Sequence, residues 1–231
     1  MIEHAKRLLR SLMMHPCASQ LALKSLYSGR WGWWIRDHDC AATFDHPEGI
    51  HKFLIALPEL QGPINYLEFG VHQGRSLRWW VEGNRDSRST FVGFDSFEGL
   101  PEHWMDGFGK GHFSTGGQPP QIDDPRCSFA VGWFNQTLPP RVENLTLVSA
   151  PTVIHADGDL YSSTMVVLFG LAAKIKIGDI LILDDFSDSL NVFRAFLDFL
   201  SAYPIGYELI AKGERYTRVA LRVTAPVPSH A

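Results

Sequence analysis

The stretch that decides the fold reads Tyr66-Leu67-Glu68-Phe69-Gly70-Val71-His72-Gln73-Gly74-Arg75-Ser76. An apolar run over residues 64–69 predicts a buried β-strand, and two glycines four residues apart follow it. Residues 76–81 then show a helical pattern. The stretch therefore predicts a strand, a glycine-rich turn and a helix N-terminus, an arrangement that lets a ligand approach the backbone and favours negative charge.

The spacing of this turn is Glu-x-Gly-x-x-x-Gly, which differs from the Gly-x-Gly-x-x-Gly of dinucleotide-binding folds. The carboxylate of Glu68 can pair with an ammonium group, and the helix N-terminus can hold a carboxylate. A ligand that carries both groups, such as the methionine end of S-adenosylmethionine, fits this pattern better than a pyrophosphate. A glycine-bearing turn in an ordinary α/β protein is the alternative.

Composition narrows the class of protein. The chain has 231 residues, of which 45% are hydrophobic, enough for one α/β domain with a sizeable core. The net charge of −4 offers no basic field for nucleic acid. Three widely spaced cysteines, Cys17, Cys40 and Cys127, form no zinc pattern and favour a reduced, cytoplasmic setting. The longest apolar run, residues 165–173, is too short to span a membrane.

The chain divides into three parts by pattern. Residues 1–45 form an N-terminal appendage, a helix plus a tryptophan-rich segment at 31–34, which could cover a ligand site, join two copies into a homo-oligomer or simply pack. Residues 46–224 form the main domain, and 225–231 are a tail. Within the domain, the Gly-, Pro- and His-rich loop 99–125 has no periodicity, and either a functional lid or a surface insertion explains it.

Strands and helices alternate from residue 48 onward. Strand-like runs are predicted at 64–71, 90–94, 128–134, 144–149, 153–157 and 180–183, with a closing antiparallel pair at 207–211 and 217–223. Helices are predicted at 48–60, 76–81, 160–176 and 190–203. This alternation predicts an α/β fold, a doubly wound, mostly parallel sheet covered on both faces.

Acidic residues follow three of the predicted strands, at the sheet edge that faces the ligand crevice in doubly wound folds. Asp95 ends the second predicted strand, at 90–94, where a carboxylate can accept hydrogen bonds from two ribose hydroxyls. The alternative for Asp95 is the capping of a turn.

Asp157, Asp184 and Asp185 end two further strands. If these strands are adjacent, three carboxylates meet and repel one another, and a bound divalent cation removes that cost. Ligands that are all oxygen suit Mg²⁺. Alternatively, Asp159, Ser162 and Asp185 cap helices and no metal binds.

In their order, these motifs resemble the macrocin O-methyltransferase (TylF-like) family of metal-dependent, Rossmann-like class I methyltransferases. The resemblance covers residues 48–222. The segments that carry it are Leu67–Val71 with Gly74 and Ser76, Gly93–Glu102, Gly132–Phe134 with Thr137–Pro139, Asp157–Thr164, and Gly178 with Asp184 and Asp185.

The resemblance implies S-adenosylmethionine and Mg²⁺ as cofactors. The implied cofactor-binding residues are Glu68, Gly70, Gly74, Ser76, Asp95, Ser96 and Gly132. The implied metal ligands are Asp157, Asp184 and Asp185, and Asp157 is also the implied catalytic base. His155 stands where an apolar residue is usual in the family, on the same strand face as Asp157, so it is a second candidate base or a packed core histidine.

The function these motifs predict is methyl transfer from S-adenosylmethionine to a hydroxyl of a sugar or polyol-bearing small molecule, with Mg²⁺ and without nucleic acid or membrane partners. Two other classes stay open. One is a nucleotide-dependent oxidoreductase on a similar sheet, against which the glycine spacing argues. The other is a protein that binds S-adenosylmethionine without catalysis, against which the three aspartates argue.

Overall fold

The computed structural model describes residues 16–38, 42–144 and 149–225. The chain separates into two compact units, residues 1–39 and 40–231, and each is described by itself.

The described part of the first unit is a single helix, α1 (Pro16–Asp37). The tryptophan-rich segment belongs to this helix. The rings of Trp31 and Trp34 stack with centroids 6.1 Å apart, and Trp34 stacks on His38 at 4.2 Å. No helix in the described ranges is both long and apolar enough to cross a membrane.

The second unit is built around one eight-stranded sheet. Its strands are β1 (Thr43–Phe44), β2 (Asn65–Phe69), β3 (Thr90–Asp95), β4 (Cys127–Val131), β5 (Thr152–Ala156), β6 (Ile180–Asp184), β7 (Gly206–Gly213) and β8 (Arg218–Ala225). Its helices are α2 (Pro47–Ile55), α3 (Arg75–Gly83), α4 (Phe134–Asn144), α5 (Tyr161–Leu171) and α6 (Val192–Ala202).

The strand order is β1-β7-β8-β6-β5-β2-β3-β4, and β8 runs antiparallel to both of its neighbours while all other pairs are parallel. The doubly wound, mostly parallel sheet is therefore confirmed, as is the closing antiparallel pair. From β2 the chain proceeds outward through β3 and β4 and then returns to place β5 on the other side of β2. This reversal is the point at which open α/β sheets bind ligands, outside the carboxyl ends of the strands.

The central strands are buried along their whole length, because helices shield the middle of a parallel sheet. Every residue of β2, β5 and β6 is buried. The helices form two packed groups, since α2 contacts α3 whereas α4 contacts α5 and α5 contacts α6. The strands that carry or precede the acidic residues are therefore held in a packed core.

Three predictions of local structure need comment. The strand predicted at 128–134 is wrong at its end, because β4 stops at Val131 and Phe134 already begins α4. The run predicted at 144–149 lies mostly outside the described residues. Residues 43–44, which the sequence analysis assigns to the appendage, pair with β7 as an additional edge strand.

Candidate functional site

The turn after β2 depends on glycine for a steric reason. Gly70 has φ of +94°, and a Cβ atom there would lie 1.8 Å from the backbone oxygen of Asp157. Gly74, with φ of +72°, is the N-cap residue of α3. The glycine spacing therefore brings the β2 turn into direct contact with the backbone that follows β5.

Asp95 holds this turn against the end of β3. Its Oδ2 accepts hydrogen bonds from the backbone N–H groups of Val71 and His72, both at 2.8 Å, and its Oδ1 accepts from the N–H of Phe97 at 2.7 Å. A carboxylate offers about four acceptor positions. Three are used internally, so Asp95 can accept about one further hydrogen bond from a ligand.

Glu68 is fully buried and points into the protein rather than toward solvent. Its Oε2 accepts a hydrogen bond from the Tyr66 hydroxyl at 2.6 Å, and its Oε1 accepts one from the Ser76 hydroxyl at 2.7 Å. The second bond ties β2 to the first turn of α3. Both oxygens of Glu68 are therefore already satisfied by the protein.

A cavity of about 560 Å³ opens at the switch point between β2 and β5. This volume lies in the range of small-molecule sites. Of the residues predicted from sequence, Gly70, Asp95, Ser96 and Asp157 line it. The other predicted residues do not line it, namely Glu68, Gly74, Ser76, Gly132, Asp184 and Asp185.

The loop 99–125 supplies one side of this cavity, through six residues between Gly99 and Phe113. Side-chain hydrogen bonds anchor the loop to the domain, including one at each of two loop residues, Glu102 and Trp104. Ser162 donates to Glu102 at 2.7 Å, and the indole N–H of Trp104 donates to Asp188 at 3.0 Å. The aperiodic loop is thus part of the wall of the site.

Three carboxylates converge at this cavity, and two of them, Asp157 and Asp159, line it. Asp157, Asp159 and Asp185 each offer an oxygen, and these oxygens lie within 4.8 Å of one another. We refer to these three residues as the aspartate cluster. Asp159 and Asp185 adopt left-handed backbone conformations, with φ of +59° and +47°. Such strain in residues other than glycine is a common feature of functional sites.

The electrostatics of the aspartate cluster are unfavourable for a fully ionised state. Burial raises the pKa of Asp159, and repulsion from Asp157 and a hydrogen bond with Asp185 raise it further. Burial also raises the pKa of Asp185. Without a cation, Asp159 and Asp185 therefore retain a proton more readily than isolated aspartates.

Asp184 and Asp185 are consecutive in the sequence but belong to different sets of possible metal ligands. Asp157 belongs to both sets. Asp184 forms an ion pair with Arg218, which faces it across the antiparallel register of β6 and β8. It also lies within metal-binding reach of His155 and Asp157. Of the three predicted metal ligands, Asp184 and Asp185 therefore each lie near Asp157, but in two different sets.

Asp159 is the residue that the sequence analysis treated only as a helix cap. The helix α5 has Leu160 as its N-cap residue, and α6 has Asn191, so neither Asp159 nor Asp185 occupies an N-cap position. The available signal was the Asp-Gly-Asp spacing after β5, which places a second acidic residue two positions after Asp157.

His155 lies below the cavity in β5 and is fully buried. Its Nδ1 is 3.0 Å from the Tyr66 hydroxyl, and its Nε2 is 3.9 Å from Asp157 Oδ2. It does not line the cavity. A substrate in the cavity would meet Asp157 and Asp159 before it could meet His155.

Residues 119–211 match the model of the macrocin O-methyltransferase (TylF) family. This confirms the resemblance that the sequence motifs indicate. The matched segment contains the whole aspartate cluster together with Asp184, whereas the turn after β2 precedes it.

Two curated relatives come from Streptomyces. The chain is 30% identical over 149 residues to the 8-demethyl-8-(2,3-dimethoxy-alpha-L-rhamnosyl)-tetracenomycin-C 4'-O-methyltransferase of Streptomyces olivaceus, a match over 54% of each chain. It is 27% identical over 162 residues to the demethyldecarbamoylnovobiocin O-methyltransferase of Streptomyces niveus, over 59% of this chain and 60% of the relative. The matches thus span between half and two thirds of the length of these relatives.

Among solved structures, the O-methyltransferase NovP superposes with a TM-score of 0.61 at 22% identity, over 77% of this chain and 79% of that one. At this identity the likeness shows the fold alone, a doubly wound α/β sheet.

Proposed function

We propose that this chain is an O-methyltransferase that moves a methyl group from S-adenosylmethionine to a hydroxyl of a sugar or polyol-bearing acceptor, with the help of Mg²⁺. One observation carries the proposal. A single cavity is lined both by Gly70 and Asp95 and by the acidic residues Asp157 and Asp159. A methyl donor and a hydroxyl acceptor bound there would meet at the switch point of the sheet.

The donor side of the cavity has the features that S-adenosylmethionine requires. Gly70 lines the cavity, and its lack of a side chain lets the turn after β2 pack directly against the backbone of Asp157. The N-terminus of α3, held by the Glu68–Ser76 bond, favours the ligand carboxylate. Asp95 has acceptor capacity left for a ribose hydroxyl. In this proposal Glu68 acts by fixing α3, since its own oxygens are occupied.

The aspartate cluster fits a hard divalent cation. Its donors are carboxylate oxygens only, they converge within 4.8 Å, and their mutual repulsion is what a cation would relieve. We propose Asp157, Asp159 and Asp185 as the residues that would hold Mg²⁺. Asp184 borders the same site with its charge balanced by Arg218. When bound, Mg²⁺ would lower the pKa of an acceptor hydroxyl and orient it.

The chain's own residues would then align the reactants and accept the proton. The acceptor oxygen attacks the methyl carbon of the sulfonium, the carbon–sulfur bond breaks, and the electron pair stays on sulfur, giving S-adenosylhomocysteine. We assign the proton from the hydroxyl to Asp157, whose side chain is about one third exposed, at 31%, and reaches the cavity. Alignment of the three reacting atoms is the main task of the protein here.

The acceptor class rests on the chemistry of the cavity and on the two relatives. Phe113 and Trp133 line the cavity beside polar groups that include Glu102, Asn135 and Lys110. Aromatic faces next to hydrogen-bonding groups suit a sugar ring or a polyol attached to a larger apolar molecule. The name of the Streptomyces olivaceus relative includes a rhamnosyl group.

The role of residues 1–45 in closing the site or in joining two copies stays a prediction, as does the cytoplasmic setting. Deleting residues 1–44 and measuring turnover and mass in solution tests the first of these. If the segment covers the site, its deletion should abolish turnover and leave cofactor binding intact. If the segment joins two copies, its deletion should change the mass in solution.

Calorimetric titration with S-adenosylhomocysteine tests the donor assignment, and we expect binding in roughly the micromolar range with a raised melting temperature. Removal of metal with EDTA should stop methyl transfer to an identified acceptor, and Mg²⁺ should restore it. Full turnover in metal-free buffer would contradict the assignment of the aspartate cluster.

A further inference from the structure

A chain of hydrogen bonds fixes which nitrogen of His155 carries the hydrogen. Burial and the neighbouring Glu68 raise the pKa of the Tyr66 hydroxyl well above its ordinary value, so Tyr66 keeps its hydrogen. That hydrogen is donated to Glu68. The Tyr66 oxygen must therefore accept from His155 Nδ1–H, at 3.0 Å. In the neutral imidazole, Nε2 is then left with a bare lone pair.

The Nε2 atom is buried and unpaired. The His155 side chain is 1% exposed, and its Nε2 has no hydrogen-bond partner in the part of the chain that the structure describes. The atom lies 3.9 Å from Asp157 Oδ2. His155, Asp157 and Asp184 each offer one ligand atom, and these three atoms lie within 4.8 Å of one another. At 3.9 Å the nitrogen and the carboxylate oxygen are too far apart for a hydrogen bond, and a metal ion between them would contact both.

We infer that His155, Asp157 and Asp184 form a second cation subsite, which binds a divalent transition-metal ion through one nitrogen and two oxygens. The inference rests on the proposed function only in that both cation sites share Asp157. Nothing in the oxygen-only aspartate cluster requires His155, and the orphaned Nε2 is an observation independent of the carboxylates.

The donor set selects the class of ion. Mg²⁺ prefers oxygen ligands, whereas imidazole nitrogen suits Zn²⁺, Ni²⁺ and related ions. Arg218 strengthens this selection because its guanidinium pairs with Asp184. The guanidinium offsets part of the carboxylate charge, so charge attraction is reduced and the metal–nitrogen bond contributes more to affinity.

The surroundings of His155 match those of a ligating histidine. Histidines that bind metals usually donate their other N–H to an acceptor that fixes the tautomer and raises ligand basicity. Here the acceptor is the Tyr66 hydroxyl, which in turn donates to the buried Glu68. The position of His155 in a strand buried at every residue holds the ring rigidly.

The test is calorimetric titration of the metal-stripped, full-length protein with Ni²⁺ and, separately, with Mg²⁺. The variant is His155→Leu, and the matched control is His103→Leu, the same change at an exposed histidine of the loop. We expect His155→Leu to weaken Ni²⁺ binding at least about 10-fold. Mg²⁺ affinity should change little in either variant, and Ni²⁺ affinity should be unchanged in His103→Leu.

A second measurement uses the wild-type protein and does not depend on the folding of a variant. X-ray absorption at one equivalent of Ni²⁺ should show imidazole scattering. Equal Ni²⁺ affinity in wild type and His155→Leu, or an all-oxygen shell for Ni²⁺, would overturn the inference.

The two proposals fail separately. Loss of Mg²⁺ binding in Asp157→Asn with retention in His155→Leu supports the aspartate cluster as the Mg²⁺ site, whatever the Ni²⁺ result. Absence of Mg²⁺ binding to the wild type, with imidazole-bound Ni²⁺, contradicts the proposed Mg²⁺ site and supports the second subsite.

Discussion

Glu68 and the aspartate cluster lie at the carboxyl ends of neighbouring strands, but their carboxylates have opposite surroundings. Glu68 has an internal donor for each oxygen, from Tyr66 and from Ser76. In the cluster, Asp157, Asp159 and Asp185 face one another instead. A carboxylate that the protein satisfies holds the structure together, whereas carboxylates left facing one another leave room for a cation from outside.

The largest expected effect is a loss of turnover, and it comes from a change in the aspartate cluster. Asp157→Asn removes the proposed base and a carboxylate common to both cation sites, and we expect turnover to fall by about 10²- to 10⁴-fold. Binding of S-adenosylhomocysteine should survive, because the turn after β2 and Asp95 are untouched. Methyl transfer and calorimetry on the same preparation measure both. Near-normal turnover would remove the functional difference between the two regions.

The contact that joins the two regions should give the next largest effect. Gly70→Ala forces a left-handed alanine and drives its Cβ into the Asp157 oxygen, so we expect a loss of about 3 kcal/mol or more of unfolding free energy. Gly116→Ala is the control, since Gly116 also has positive φ but open space around it. Its cost should stay near 1–2 kcal/mol. Equal costs in denaturant titrations would mean that the close approach is unimportant.

Amide substitutions should change stability in opposite directions in the two regions. In metal-free buffer, Asp157→Asn relieves repulsion within the cluster and should stabilise the fold, by on the order of 1 kcal/mol. Glu68→Gln replaces an acceptor oxygen by a donor and should destabilise it by about 1–2 kcal/mol. Thermal unfolding of both variants beside wild type provides the measurement. A shift of the same sign in both would contradict the comparison.

Asp179 provides a smaller, pH-dependent test of a satisfied carboxylate. Its oxygens accept the backbone N–H groups of Thr152 and Lys176, while burial raises its pKa from 3.8 to about 6. Because the folded pKa is the higher one, its contribution to stability is complete below about pH 3.8 and is lost as pH rises through about 6. Asp179→Asn should flatten the stability profile over that interval. An unchanged slope would assign the pH dependence to other groups.

Local sequence was enough to predict most of the sheet. The run before Gly70 and the run at 180–183 are apolar and bounded by turn residues, so their strands could be placed without the fold. The helix α4 was missed because its proline pair, Pro139 and Pro140, suppresses the usual helical signal. The edge strand β1 is only two residues long and shows no pattern.

The candidate site was less accessible from sequence, for a physical reason. The partners of its carboxylates come from distant parts of the chain. Asp184 meets Arg218 only because β8 runs antiparallel beside β6. Asp159 meets Asp157 only because its backbone is left-handed. The bonds that position loop residues on the cavity wall likewise join segments far apart, as Ser162 and Glu102 show.

The most direct test of the central claim is a calorimetric titration of the wild-type protein with S-adenosylhomocysteine, with NADH titrated in parallel. The account predicts binding of S-adenosylhomocysteine with one site per chain and no binding of NADH. The reverse result, NADH bound and S-adenosylhomocysteine not, would contradict the assignment of this cavity to a methyl donor.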